Sequence, residues 1–139
     1  VSAERPATTA EAAVGLLALV VDDSGSMRRQ LCAALARLEI RAVEAGDGAE
    51  AWRRLQSGPV FDLIVTDINM PRLDGLKLVG LVRSGGPHRA TPVVIVTTES
   101  AEADRRRAEG LGANAYLTKP VRADQVVDAV RALLGLARG

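Results

Sequence analysis

Asp22 and Asp23 stand together after one apolar run, Asp67 ends another, Thr97 ends a third, and Lys119 follows a fourth. If the chain brings these groups together, the carboxylates repel. Two of them about 4 Å apart, at an effective dielectric of about 20, cost roughly 4 kcal/mol. A cation must offset that cost. Mg²⁺ suits the set, because it takes one or two carboxylates with waters and keeps positions open for a phosphate oxygen; Lys119 can add a compact ammonium. An ionised aspartate at a strand end, such as Asp67, could also act as a nucleophile and form an acyl phosphate.

Such groups act together only on one edge of a fold that delivers them there. From Leu16 onward, short apolar runs alternate with amphipathic stretches. The runs Leu16–Val21, Arg41–Glu44, Phe61–Thr66, Pro92–Thr97 and Ala115–Leu117 predict strands. Between and after them Met27–Leu38, Ala49–Gln56, Leu76–Arg83, Ala101–Glu109 and Ala123–Leu134 carry helical spacing. Strict alternation predicts an α/β fold: a single doubly wound, five-stranded parallel sheet with five helices on its two faces and right-handed crossovers. Leu63 to Val65 and Val93 to Val96 are apolar at every position, as central strands buried on both sides require. Ligands of such sheets bind beyond the carboxyl ends of the strands, where strand order reverses. Four of the five strands send a polar group to that edge.

A chain of 139 residues with 47% apolar content can build one core. We expect an arm or linker over residues 1–15, one domain over 16–136 and a short tail over 137–139. The net charge of +1 gives no reason to expect nucleic acid or an anionic membrane as a partner. The apolar run Ala12–Val21 is about half of a bilayer span and ends on two aspartates, so neither a membrane segment nor a signal peptide is expected. The lone Cys32 reads as a buried small hydrophobe in a reducing, cytoplasmic setting. After Leu134 no room remains for a DNA-binding module, so output through a protein contact is expected.

Four motifs recur in order: Val20-Val21-Asp22-Asp23-Ser24; Asp67-Ile68-Asn69-Met70-Pro71 with Asp74-Gly75; Val96-Thr97-Thr98; and Thr118-Lys119-Pro120. Each is weak alone, but together they are specific. From Leu16 to Leu134 the sequence resembles the receiver domains of two-component response regulators. Met27-Arg28-Arg29 makes it most similar to CheY-like, chemotaxis-type single-domain regulators, although a receiver cut from a hybrid kinase would read alike. The resemblance implies the flavodoxin-like strand order 2-1-3-4-5 and Asp67 as phosphoacceptor. It implies Mg²⁺, with Mn²⁺ as the alternative, ligated by Asp23, Asp67 and the Asn69 backbone carbonyl, with Asp22 holding a metal-bound water. Thr97, Thr98 and Lys119 would contact the phosphoryl group, and the bond before Pro120 would be cis. Tyr116 would be the aromatic that turns inward when Thr97 moves, while Asn69 and Glu99 would tune dephosphorylation by holding a water. The implied partners are a histidine kinase or phosphotransfer protein and a protein target on the surface of the fourth helix, fifth strand and fifth helix. No catalysis is implied beyond Mg²⁺-dependent self-phosphorylation and autodephosphorylation.

Other readings are weaker. One Asp alone at 22 or 23 would be read as a cap for a helix starting near Ser26, but two acids and Asp67 reverse that reading. An aspartate-nucleophile phosphohydrolase would carry a second Asp where Asn69 stands. A flavodoxin-like cofactor binder would not place Asp22 and Asp23 in its phosphate loop. A phosphorylation-independent interaction module would not need the whole set. Gly75 reads equally as a turn requirement, His88 as a loop residue without a role, and Arg105 to Arg107 as a solvated face. The fourth helix offers only Ala101, Ala103 and Ala108 to a core, so it should be the most labile.

Overall fold

The computed structural model describes residues 15–136. The expected tail and, apart from Gly15, the expected arm lie outside the described residues. The elements are β1 (Leu17–Val21), α1 (Gly25–Ala36), β2 (Arg41–Ala45), α2 (Gly48–Ser57), β3 (Leu63–Thr66), α3 (Gly75–Arg83), β4 (Val93–Thr97), α4 (Glu102–Leu111), β5 (Ala115–Thr118) and α5 (Ala123–Leu134). All ten are those the sequence predicts, with no end moved by more than two residues and the last helix matched at both ends. Local chemistry explains the shifts. α1 starts early because Ser24 caps it, its Oγ accepting from the Met27 N–H at 3.2 Å. At the start of β3, the Phe61 N–H donates to the His88 imidazole and only from Asp62 onward does the backbone bond to β1, the Asp62 N–H reaching the Leu17 carbonyl at 2.7 Å.

The strands form one parallel sheet in the order β2-β1-β3-β4-β5. Successive side chains of a strand point to opposite faces, so the sheet divides the core in two. On one face Leu19, Val21, Ile64, Val93 and Ile95 pack against Leu55 of α2, Leu78, Val79 and Val82 of α3, and Ala108 of α4. On the other, Ala18, Val20, Leu63, Val65, Val94 and Val96 pack against Leu31 and Leu35 of α1 and Val126, Val127 and Val130 of α5. β1, β3 and β4 are buried at every residue, as their unbroken apolar runs require.

α4 differs from the expectation in one respect. Only Ala108 is buried; Ala103 is exposed and Ala101 is an N-cap without a side-chain hydrogen bond. Alanine carries too little apolar surface for its spacing to fix a helix face. Cys32 is half-buried rather than buried. Burial, aided by the nearby Glu44 charge and opposed by Arg28, pushes its thiol pKa up, so it stays an uncharged packing group. Among the described residues no helix is long and apolar enough to cross a membrane.

Candidate functional site

β1 is followed by Asp22 and Asp23, and its neighbour β3 by Asp67. The chain leaves β1 toward β2 on one side and leaves β3 toward β4 on the other, so their carboxyl ends border the crevice where strand order reverses. One carboxylate oxygen from each of Asp22, Asp23 and Asp67 lies within 4.8 Å of the others. Asp22 and Asp67 are buried, whereas Asp23 is exposed. Lys119 reaches in from beyond β5 and bridges the buried pair, its Nζ donating to Asp22 Oδ2 at 2.9 Å and Asp67 Oδ2 at 3.0 Å. Burial works against the ammonium, but the hydrogen bonds and charges of Asp22 and Asp67 outweigh it and hold the Lys119 pKa above the usual lysine value. The Lys119 N–H donates to the Thr97 carbonyl at 2.7 Å, and the Lys119–Pro120 bond is cis.

The carboxylates are aimed by backbone and side-chain donors. Asp22 Oδ1 accepts from the Ser24 N–H at 2.9 Å, and its carbonyl takes Arg28 Nη1 at 2.7 Å, while Arg28 Nε pairs with Glu44 of β2 at 2.8 Å. Asp67 Oδ1 accepts from the Ile68 N–H at 2.6 Å and more weakly from the Asn69 N–H at 3.4 Å. The buried Thr66 hydroxyl donates to the Asp67 carbonyl at 2.9 Å. That carbonyl also lies against Gly75, where a Cβ would collide with it. Gly75 is therefore a close-approach residue of the site and not only a turn residue.

Asn69 and Glu99 meet: the Asn69 amide donates to Glu99 Oε2 at 2.7 Å. Thr97 is buried and its Oγ1 accepts only a long bond from the Glu99 N–H, 3.3 Å. Thr98 is exposed, and its side chain makes no hydrogen bond among the described residues. Tyr116 is buried, its hydroxyl donating to the Glu99 carbonyl at 2.6 Å, with the Arg105 guanidinium 5.0 Å from the ring centre. Arg105 thus belongs to the Tyr116 environment rather than to a uniformly solvated face.

The sequence reading names Ser24 and Arg28 only as motif residues without a role, and does not single out Thr66, Asp47 or Arg72. A signal existed for one: Asp47-Gly48-Ala49-Glu50 has the spacing of a helix start. Asp47 Oδ1 does accept from the Glu50 N–H at 2.8 Å, and Glu50 Oε1 accepts from the Gly46 N–H at 2.8 Å. The other carboxylate oxygen of Asp47 pairs with Arg72. His88, read as a loop residue, is buried: its Nε2 accepts from the Phe61 N–H at 2.9 Å and its ring is tilted against that of Phe61.

Comparison with known proteins gives a consistent picture. Residues 18–131 match the response regulator receiver domain family. The chemotaxis protein CheY1 of Helicobacter pylori (strain 26695) is 38% identical over 118 residues, 84% of this chain and 95% of that protein. The structure of chemotaxis response regulator CheY4 of Vibrio cholerae superimposes with a TM-score of 0.79 at 30% identity, covering 85% of this chain and 98% of that one. The Mn²⁺-bound form of response regulator Rcp1 does so with a TM-score of 0.78 at 25% identity, covering 88% and 97%.

Proposed function

Because this chain belongs to the response regulator receiver family, we propose that it accepts a phosphoryl group on Asp67 from the phosphohistidine of a histidine kinase or phosphotransfer protein. The signal then passes to a cytoplasmic protein target through the surface of α4, β5 and α5. The observation that carries this reading is the Lys119 ammonium held between Asp22 and Asp67, with a third carboxylate, Asp23, beside them. Nucleophile and counter-charge share one crevice.

Three clustered carboxylate oxygens fit a hard divalent cation, Mg²⁺ or Mn²⁺, and the backbone carbonyl of Asn69, two residues after Asp67, would complete the protein ligands. Rcp1, a relative by structure, binds Mn²⁺. When bound, the cation would neutralise charge on the phosphoryl oxygens. The chain's own residues do the rest. The Ile68 N–H and Lys119 hold the Asp67 carboxylate in one orientation, so its attack loses little orientational freedom. An Asp67 oxygen forms the new P–O bond as the N–P bond of phosphohistidine breaks; the electron pair leaves with the imidazole, which takes up a proton. Lys119 stays paired with Asp22 while its remaining donors turn to the phosphoryl oxygens. The Thr97 hydroxyl, weakly engaged as an acceptor, is free to donate to the same oxygens. Catalysis ends with self-phosphorylation and autodephosphorylation.

The test is incubation with acetyl phosphate or beryllofluoride, with and without Mg²⁺, read by intact mass or by fluorine resonance. Acetyl phosphate should add one phosphoryl group only with Mg²⁺, and Asp67→Ala should abolish both reactions. Stoichiometric labelling of Asp67→Ala on another residue would overturn the assignment.

A further inference from the structure

The loop from Ile68 to Asp74 is fastened at both ends, and its far fastening is to α2, which carries none of the acidic groups of the site. Asp47 caps α2 with Oδ1 and receives Arg72 on Oδ2, from Nη2 at 2.8 Å and from Nε at 3.0 Å. Charge-assisted bonds of this kind fix geometry as well as adding attraction. The Asp47 carboxyl is held below the usual carboxylate range, first by the Glu50 N–H and, against the cost of burial, by Arg72. Arg72 has a φ of +71°, a left-handed conformation unfavourable for a residue with a Cβ. Its side chain is 73% exposed, so burial does not hold it there. The Leu73 N–H closes a tight turn about Arg72 by donating to the Pro71 carbonyl at 2.8 Å, and the ion pair holds the side chain of that turn against α2. Beside it, the Leu73 carbonyl lies against Gly48 of α2, where a Cβ would collide. At the near end, the Gly75 N–H donates to the Ile68 carbonyl at 2.8 Å. Between Asn69 and Arg72 lie only Met70 and Pro71, the latter with φ fixed by its ring.

We infer that Asp47 and Arg72 are a positioning pair, whose contact sets the β3–α3 loop so that the Asn69 backbone carbonyl faces the divalent cation. The inference rests on the proposed function. Without the pair, the turn at Arg72 keeps only its backbone bond, the segment between it and Asn69 loses its anchor on α2, and the cation must order more of the loop as it binds. Groups that orient a ligand without touching the metal typically govern its affinity by 10-fold to 100-fold. A pair acting through the backbone falls at the lower end.

Arg72→Gly removes the guanidinium while keeping the left-handed backbone accessible. Asp47→Asn removes the charge and keeps a capping oxygen for α2. Calorimetric titration of the full chain with Mg²⁺ should show each variant binding about tenfold more weakly. The double variant should bind no more weakly than either single one, and the Asn69 amide of the metal-free variants should exchange faster than in the parent. A lowered melting temperature with unchanged Mg²⁺ affinity and Asn69 exchange overturns the inference, as do single effects that multiply in the double variant. If the parent chain binds no Mg²⁺, the reading of the site itself falls and takes the inference with it. That outcome differs from a parent and variants that bind equally well.

Discussion

The Asn69 amide and the Glu99 carboxylate are bonded to each other at 2.7 Å, joining the loop after β3 to the loop after β4 across 30 residues of sequence. The two were expected to hold a water; their bond to each other makes them a unit. Asn69→Ala, Glu99→Ala and the double variant should therefore all lose label from phosphorylated Asp67 more slowly by the same factor, about tenfold for roughly 1.4 kcal/mol of lost water positioning. Loss of label after desalting into Mg²⁺ measures this. Three decays at the parent rate would exclude both residues, and multiplying effects would exclude the unit.

Tyr116 is the chain's single tyrosine, so its titration can be read without ambiguity. Burial first, then the charges of Asp104 and Glu99, raise its pKa above 10.0, against Arg105. A folded pKa above the unfolded one means that this contribution to stability is full below pH 10.0 and is lost as pH rises through the folded value. Tyrosinate absorbance should rise at higher pH in the native chain than after urea unfolding. Tyr116→Phe leaves the Glu99 carbonyl without its donor and should cost about 1 kcal/mol. Coincident native and unfolded titrations would show that the ring is not held inside.

His88 should make stability depend on pH in the opposite sense. Burial lowers its pKa below 6.5, with Asp62 opposing, and its Nε2 must stay unprotonated to accept from Phe61. Stability from this contact is complete above pH 6.5 and falls as pH drops through the folded value. Urea melts across that range should show the slope, and His88→Ala should remove it while costing about 1–3 kcal/mol for the orphaned N–H. As this is the only histidine, a slope retained in the variant would refute the assignment.

Two glycines of α3 should respond to the same substitution with opposite signs. A Cβ at Gly75 meets the Asp67 carbonyl, so Gly75→Ala should displace the acceptor, reduce labelling and destabilise by about 1–3 kcal/mol. A Cβ at Gly80 meets nothing within 4 Å, so Gly80→Ala should stabilise by about 0.4–1 kcal/mol. Urea denaturation decides; equal effects would show that the close approach at Gly75 has no energetic weight.

α4 should open first among the helices. It buries only Ala108, lacks a side-chain cap and contains Gly110, whose Cβ would meet open space. Amide exchange in α4 should be faster than in α1, and Gly110→Ala should slow it, by up to about fivefold for roughly 1 kcal/mol. Slower exchange in α4 than in α1 would contradict this.

β1, β3, β4 and β5 were legible because each is a mostly apolar run with a polar residue at or just after its end, β2 by its place in the alternation, and Asp22, Asp23, Asp67 and Lys119 were legible as residues at those ends. What escaped were pairings between elements distant in sequence. Nothing local tells that Arg72 faces Asp47, that Arg28 reaches the Asp22 carbonyl, or that His88 accepts from Phe61. Each requires the sheet to exist first. Ala101 and Ala103 were assigned inward for the opposite reason: alanine fits a helical period in any direction and so marks none.

The strand order also bears on how the chain assembles as it is synthesised. After β1, each new strand joins an outer edge, β2 on one side, then β3, β4 and β5 in turn on the other, so no pairing already made is reopened. The helices do not keep the same schedule. The face that α1 shares with α5 stays open until the last helix arrives, leaving Leu31 and Leu35 without the cover of Val126, Val127 and Val130. A nascent chain lacking α5 would thus hold a nearly finished sheet with one greasy side bare, the kind of surface that holdase chaperones bind.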